Sequence, residues 1–514
     1  LETTIVSVNT TCDLLNIGHD DAIAIQAPGR PPLNYSAIRA LSKRTRQALK
    51  QAGIAKSDRI AIVLPNGPEM ATAFVTISGA STTAPLNPAY RQEEFEFYLS
   101  DLNAKALVVA ANSESPSVAA AQKLGIPLIT LVTDSSRAAG DFDLIFDSAT
   151  LLVPTKNDEV DEDDVALILH TSGTTSRPKI VPLSHRNVTS SAENIMNTLS
   201  LVPGDRCLNI MPLFHIHGLI AAVLSSLRAG ASIYCTPGFN ALKFFGWMDD
   251  AKPTWYTAVP TMHQTILTRA SRNLDIINAV PLRFIRSSSS SLPSQVMTEL
   301  EKVFNAPVIE AYGMTEASHQ MACNPLPPAV RKAGTVGIAA GPEVGIMSLD
   351  GEILPNGEVG EIVIRGANIT KGYENNPNAN EENFTNGWFR TGDQGVLDSD
   401  GYISITGRLK EIINRGGEKI SPREVDEILM DHPAIQQCVT FSMPHLTLGE
   451  EVAAVVVLKE GMTADEKDIR MFTAQHMADF KVPRKILFMD EIPKGATGKL
   501  QRIGLAEKLG LVGL

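Results

Sequence analysis

VALILHTSGTTSRPK, residues 165–179, decides how the chain is read. Residues 165–170 form an apolar run of strand length, and a hydroxyl-rich loop with a glycine at 173 comes directly after it. A strand entering such a loop is phosphate-cradling architecture. Gly173 lets the backbone approach an anion closely, successive amides and the hydroxyls of Thr171, Ser172, Thr174 and Thr175 offer donors, and Arg177 and Lys179 add positive charge. A triphosphate tail suits this loop. It is not a Walker A motif, because Pro178 replaces the second glycine and Ile180 replaces the Ser or Thr, which disfavours ordinary P-loop NTPases. The plain alternative is a surface loop, since Gly, Ser and Thr are common loop residues.

Upstream, strand-like and helix-like stretches alternate. Apolar Ile38, Leu41, Ala48 and Leu49 recur at helical spacing, Arg59–Leu64 reads as a strand, and a helical run starts after Pro68. A second helical run, 91–102, leads into a strand at 106–110. This punctuation predicts a doubly wound α/β core with mostly parallel sheets. The six carboxylates between Lys156 and Asp164 mark a solvated loop before the strand at 165. Past Asn324 the texture changes to short β-type stretches broken by Gly and Pro, which predicts a β-rich subdomain at about 325–409. Ser421-Pro422-Arg423-Glu424 then places an N-cap serine, an N1 proline and an N3 glutamate before Val425, Ile428 and Leu429. With strands at 451–458 and near 486 and a helix from about 463, residues 410–514 read as a small α+β domain following a large domain over 1–409.

The composition agrees with this reading. At 514 residues the chain has room for about three packed units. Hydrophobic residues at 44% and charged residues at 20% exclude collagen-like and disordered classes. Fifty-seven acidic against forty-five basic side chains give a net charge of −12, which argues against nucleic acid or anionic lipid as a partner. The five cysteines are scattered and show no metal-ligand spacing, as expected of a reducing compartment. The most apolar stretch, 218–227, falls far short of the roughly 18 residues needed to cross a bilayer. The expectation is a cytoplasmic protein, with a peroxisomal address open if a terminal signal has been trimmed.

TSGTTSRPK (171–179), YGMTE (312–316), GWFRTGD (387–393), GRLKEIINRGGEKISP (407–422) and PKGATGKLQR (493–502) together resemble the adenylate-forming acyl-CoA synthetase family, in order and over almost the whole chain. The strings EEFEFYLSD, PLFHIHGL and TWYTAVPT resemble one branch of it, the oxalate–CoA ligases, close to the 4-coumarate–CoA ligases. The resemblance implies a ligase that uses ATP, Mg²⁺ and CoA to activate a small carboxylic acid as its acyl-adenylate and then transfers the acyl group to CoA. It implies that Lys499 is the catalytic lysine, Glu316 the Mg²⁺ carboxylate and Thr315 a phosphate contact. Tyr312 would stack on adenine beside Glu310 and Ala311, and Asp393 and Arg408 would hold the ribose and phosphate edge. Lys410 would be the hinge of a mobile small domain, Gly416 and Gly417 would line a CoA tunnel, and Lys419 and Arg484 would meet CoA phosphates.

At the acyl end the sequence is unusually polar. Ser287 to Ser291, Ser289 among them, stand where relatives carry a Gly-Ala-Ala-Pro type segment, and His215 and His319 flank the same expected pocket. Such donors suit a second carboxylate, whereas a long acyl chain needs an apolar tube. The competing reading is that the serines only shape backbone near the adenine and that His215 is a gate residue. His215 and His217 at i, i+2 are weak evidence for a metal. Ser176 and Ile180 depart from the glycines of many relatives, and a β-branched residue resists positive φ, so Ile180 raises the prospect of weakened ATP binding. Two alternatives therefore stand beside oxalate: an aryl or medium-chain acid, and a nucleotide-binding protein without turnover.

Overall fold

The alternating strands and helices close into two large sheets in a computed structural model of the chain, which describes residues 8–146, 159–171, 178–493 and 500–511. One sheet has seven strands in the order Asp143–Phe146, Leu128–Val132, Ala106–Ala110, Arg59–Val63, Thr82–Pro85, Val165–Thr171 and Lys179–Ser184. Its inner strands are parallel and its two outer strands antiparallel. Parallel neighbours need crossovers, which helices Pro68–Ser78, Gln92–Asp101 and Pro116–Leu124 supply. Helix Pro116–Leu124 carries the expected punctuation: a Ser115 cap, proline at its start, and Gly125 at φ 68° after its end.

The second sheet has nine strands, running from Ile338–Ala339 and His319–Cys323 through Val308–Met314, Phe284–Ser287, Trp255–Ala258, Arg206–Asn209, Ser232–Cys235 and Ile23–Gln26 to Leu33–Asn34. From Val308–Met314 to Ile23–Gln26 the strands are parallel. One core joins the two sheets: Ile60, Phe74 and Leu183 on one side and Ile233, Phe284 and Ile309 on the other pack around Val188, Ala192 and Ile195 and the wholly buried helix His217–Leu224. The apolar run 218–227 is therefore core, and among the described residues no helix is long and apolar enough to cross a membrane.

An antiparallel sheet comes next, built from Glu343–Met347, Val359–Arg365, Phe384–Thr385, Trp388–Leu397 and Ile403–Arg408. The last unit pairs Ile413–Arg415, Glu418–Ile420, Ile435–His445, Gly449–Leu458 and Lys485–Phe488, with helices Pro422–Met430 and Glu466–His476 packed on its own apolar clusters. The architecture is α/β with a small α+β unit at the carboxyl end. Helix Glu466–His476 starts three residues later than the apolar pattern suggests because Asp465 caps it, accepting from the Asp468 amide at 2.8 Å. The acidic run before residue 165 is caught by cations. Lys56 reaches Asp164 at 2.8 Å and Asp161 at 3.3 Å, and Lys371 reaches Asp163 at 3.2 Å.

Ser421 does two jobs. Its hydroxyl accepts from the Glu424 amide at 3.4 Å, capping helix Pro422–Met430, and donates to the Thr406 carbonyl across the turn that joins the two units. Glu424 turns away to pair with Lys481 instead of closing a capping box. Ser421→Ala is expected to cost about 1 kcal/mol, read as a lower denaturant midpoint with unchanged slope; an unshifted midpoint would show that the cap contributes nothing.

Candidate active site

The two sheets meet at the candidate site, and each contributes one chain end. Thr171 and Lys179 are register partners on the edge pair of the seven-stranded sheet, so the segment between them starts and ends at one place. Ser172, Gly173, Thr174, Thr175 and Arg177 lie outside the described residues, as does Lys499. Ile180 is a strand residue paired with His170 and buried against Ile168 and Ala61. Extended backbone suits a β-branched side chain, so the position makes no demand for positive φ, and the ground for expecting weakened ATP binding falls away.

From the nine-stranded sheet, strand Val308–Met314 brings Glu310, Ala311 and Tyr312, then ends in a single turn, Thr315–Ala317. Tyr312 is buried and its phenol donates to Asp393 Oδ2, while Arg408 Nε meets Asp393 Oδ1 at 3.1 Å. Asp393 and Arg408 are register partners on neighbouring antiparallel strands, which fixes their spacing. Asp393 holds the Arg408 guanidinium above its usual pKa, and the arginine side chain stays about half exposed. The predicted adenine, ribose and phosphate contacts thus form one connected set.

Glu316 is only 6% exposed. Burial pushes its carboxyl up; the Tyr373 phenol, which donates to Oε1 at 2.8 Å, and the charges of Lys179 and Arg408 pull it back. Lys179 Nζ sits 4.3 Å from the centroid of the Tyr373 ring. Burial, then the nearby Lys410, lowers the Lys179 pKa, opposed by Glu316. Tyr373 thus joins Lys179 and Glu316, and the charges of Arg408 and Lys410 act on this pair. Tyr373 belongs to this cluster and no sequence pattern singles it out; an aromatic after a glycine in 371–376 carries no periodic signal.

At the expected acyl end the ring of His217 joins Ser289, Thr257 and His319. His217 Nδ1 lies 3.0 Å from Ser289 Oγ, Nε2 lies 2.6 Å from Thr257 Oγ1, and the ring centroid is 5.0 Å from that of His319. His215 stands just before it, half-buried, and its Nδ1 accepts from the His217 amide at 3.3 Å. Ser289 and His319 hold positive φ, 74° and 96°, and His319 is buried. Both are uncommon for non-glycine residues and persist only where the surroundings over-determine them. Gly313 is part of the reason, since a Cβ there would come within 1.8 Å of the His319 carbonyl oxygen.

On the last unit, Lys410 is exposed in a turn closed by Glu411 and Ile412 amides donating to the Arg408 carbonyl at 2.9 and 3.0 Å. Gly416 and Gly417, at φ 58° and 100°, form the two-residue tip of the hairpin between Ile413–Arg415 and Glu418–Ile420, a turn that needs positive φ at both positions. Lys419 on that hairpin and Arg484 beyond it are exposed. Among the described residues no group of three or more His, Cys, Asp and Glu gathers to hold a metal unaided.

The family model described as AMP-binding enzyme matches residues 17–374, and that of the AMP-binding enzyme C-terminal domain matches 424–499. An oxalate–CoA ligase of Arabidopsis thaliana is 45% identical over 492 residues, 94% of each chain. Another from Saccharomyces cerevisiae is 44% identical over 476 residues, covering 88% of this chain and 87% of its own. ATP-bound MatB from Rhodopseudomonas palustris superposes with a TM-score of 0.85 at 29% identity, covering 97% of this chain and 98% of its own.

Glu310 yields a pH signature. It is 2% exposed, its Oε1 accepts from the Leu292 amide at 3.1 Å, and burial pushes its pKa up to about 7. An acid whose folded pKa is raised favours folding fully below its unfolded pKa and loses that contribution as pH rises toward the folded value, here roughly 3 kcal/mol. Glu310→Gln is therefore expected to gain stability relative to the parent between about pH 4.5 and 7, with a constant difference above. Paired thermal melts across that range check it; a pH-independent difference would contradict it.

Proposed function

The chain belongs to the AMP-binding enzyme family, and we propose that it is the member that activates oxalate, forming oxalyl-AMP with release of pyrophosphate and then oxalyl-CoA with release of AMP. ATP and CoA are the co-substrates that membership implies. In the first step a carboxylate oxygen attacks the α-phosphorus and the bond to the β-phosphate breaks. In the second, the CoA sulfur attacks the acyl carbon, the carbon–oxygen bond to AMP breaks, and the thiol proton is lost.

Most of the candidate residues have a part in this scheme. Tyr312 offers its ring to adenine, and Asp393 accepts from ribose hydroxyls while bonded to Arg408. Thr171, Ser172, Gly173, Thr174, Thr175 and Lys179 take the triphosphate, with Thr315 as a further contact. Glu316 fits Mg²⁺: a buried carboxylate with its other partners already in place is a hard oxygen donor, and magnesium is commonly held by one such group plus substrate phosphates. When bound, the ion supplies charge neutralisation between phosphate oxygens. Lys499 stabilises the charge that develops between acid and α-phosphate, and Lys410 is the hinge between domains 1–409 and 410–514 that carries Lys499 away. Gly416, Gly417, Lys419 and Arg484 then face CoA.

The observation that carries the acid assignment is the wall formed by His217, Ser289, Thr257 and His319. An imidazole engaged at both nitrogens by hydroxyls, with a second imidazole against it, makes the surroundings polar, and Ser289 is the partly exposed member of the set. That environment rewards a second carboxylate and leaves an alkyl chain without apolar contacts. The oxalate–CoA ligases at 44% and 45% identity support the same assignment.

A panel of oxalate, malonate, coumarate and octanoate tests this with ATP and CoA. Oxalate is expected to lead in kcat/KM by about 100-fold or more over octanoate, as a site built for polar partners discriminates against their absence; preference for octanoate or coumarate would overturn the assignment. Lys499→Ala is expected to cut adenylation by about 100-fold or more while sparing thioester formation from supplied oxalyl-AMP. Equal losses in both steps would contradict the division of labour.

A further inference from the structure

We propose that Tyr373 is a positioning residue for adenylation: its phenol fixes one carboxylate oxygen of Glu316 and its ring supports Lys179, so that the second Glu316 oxygen and the lysine ammonium are held ready for the cation and the triphosphate. The inference rests on reading Glu316 as the Mg²⁺ carboxylate and Lys179 as a phosphate contact.

The geometry is specific. Tyr373 Oη lies 2.8 Å from Glu316 Oε1, and Lys179 Nζ lies 4.3 Å from the ring centroid. A carboxylate with two oxygens and one fixed partner has one oxygen left to offer, and its orientation is set by the bond it already makes. Partners of this kind, behind a metal-binding carboxylate, commonly matter by 10- to 100-fold in metal affinity. The ring does the corresponding work for the lysine, since an ammonium over an aromatic face is attracted without being neutralised by a carboxylate. One side chain thus keeps an acid and a base apart that would otherwise pair directly and be unavailable to substrate.

The segment bearing Tyr373 is fastened so that the ring cannot swing away. The Tyr373 amide donates to Asn380 Oδ1 at 2.7 Å, and Asn380 Nδ2 donates back to the Tyr373 carbonyl at 2.9 Å. The next residue, Glu374, receives Arg59 Nη2 on both oxygens at 2.7 Å, and its amide donates to the Ile180 carbonyl at 3.1 Å. The Thr370 amide donates to the Glu316 carbonyl at 2.8 Å. The strap therefore grips the edge strand of one sheet and the turn after a strand of the other.

Tyr373→Phe keeps the ring and removes the donor. The readout is Mn²⁺ binding to the full-length protein with ATP and no acid, followed by electron paramagnetic resonance, beside nucleotide binding in EDTA. The expected result is metal affinity weakened about 10-fold with nucleotide affinity in EDTA changed less than about 2-fold; Tyr373→Leu, which also removes the ring, is expected to weaken both. Metal affinity in Tyr373→Phe within about 2-fold of the parent would overturn the proposal, the shift expected being five times larger. Glu316→Gln separates the two layers. If it weakens Mn²⁺ binding and Tyr373→Phe does not, the inference fails and the metal assignment stands; if Glu316→Gln leaves Mn²⁺ binding unchanged, the assignment itself fails. Should Tyr373→Phe be destabilised, the Mn²⁺-induced rise in its melting temperature with ATP, taken from its own metal-free value, carries the same comparison.

Discussion

A carboxylate buried where two sheets meet is the constraint on which the rest of the site depends. Glu316 at 6% exposure has given up most of its hydration, and an ionised carboxylate can stay there only if charge and hydrogen bonds replace the water. The chain supplies these from several directions: the Tyr373 phenol at 2.8 Å, Lys179 from the edge of the seven-stranded sheet, and Arg408 from the antiparallel sheet. These elements are far apart in sequence, so satisfying one buried charge requires the two large sheets and the β-rich segment to come together. The same requirement makes the site. A polar cluster that must be complete to be tolerated is already organised when substrate arrives, and such preorganisation is what stabilises developing charge.

The proposed acyl end is built on a different principle. Ser289 and His319 hold backbone angles that non-glycine residues rarely adopt, and the close passage of Gly313 against the His319 carbonyl leaves little room for relaxation. Strain of this kind is of order 1–3 kcal/mol per residue and is tolerated where the surroundings impose it. Here it turns a serine and an imidazole toward His217, which Thr257 anchors from a neighbouring strand. A polar wall at the end of a parallel sheet lies where α/β proteins bind their ligands, outside the carboxyl ends of the strands.

Much of the fold was legible in local pattern because local forces decide it. The helix at 35–51, the strands at 59–63 and 106–110 and the Ser421 cap follow from periodicity and capping that a single chain segment carries. Strand order is not local, and neither is the mixed character of the large sheets' edges. In the site, residues within dense strings such as 312–316 and 387–393 could be recognised, and the bonds joining Tyr312, Asp393 and Arg408 agree with their grouping. Tyr373 carries no such mark, because its two contacts are made to Glu316, 57 residues away, and to Lys179, on the edge of another sheet. Two histidines at i, i+2 look alike in sequence, and only the start of a buried helix decides that the His217 ring meets Ser289 while His215 stands beside it. Ile180 looked like damage because a glycine's absence was read as lost freedom, whereas an extended strand has no use for that freedom.

The most direct test of the account is exchange of labelled pyrophosphate into ATP, dependent on oxalate and without CoA, compared between the parent and Glu316→Gln, which keeps the shape and removes the charge. The account predicts robust exchange in the parent and a loss of about 100-fold or more in the variant, with the melting temperature kept or raised because a buried charge has been removed. Exchange at the parental rate in Glu316→Gln, or none with any acid in the parent, would contradict it.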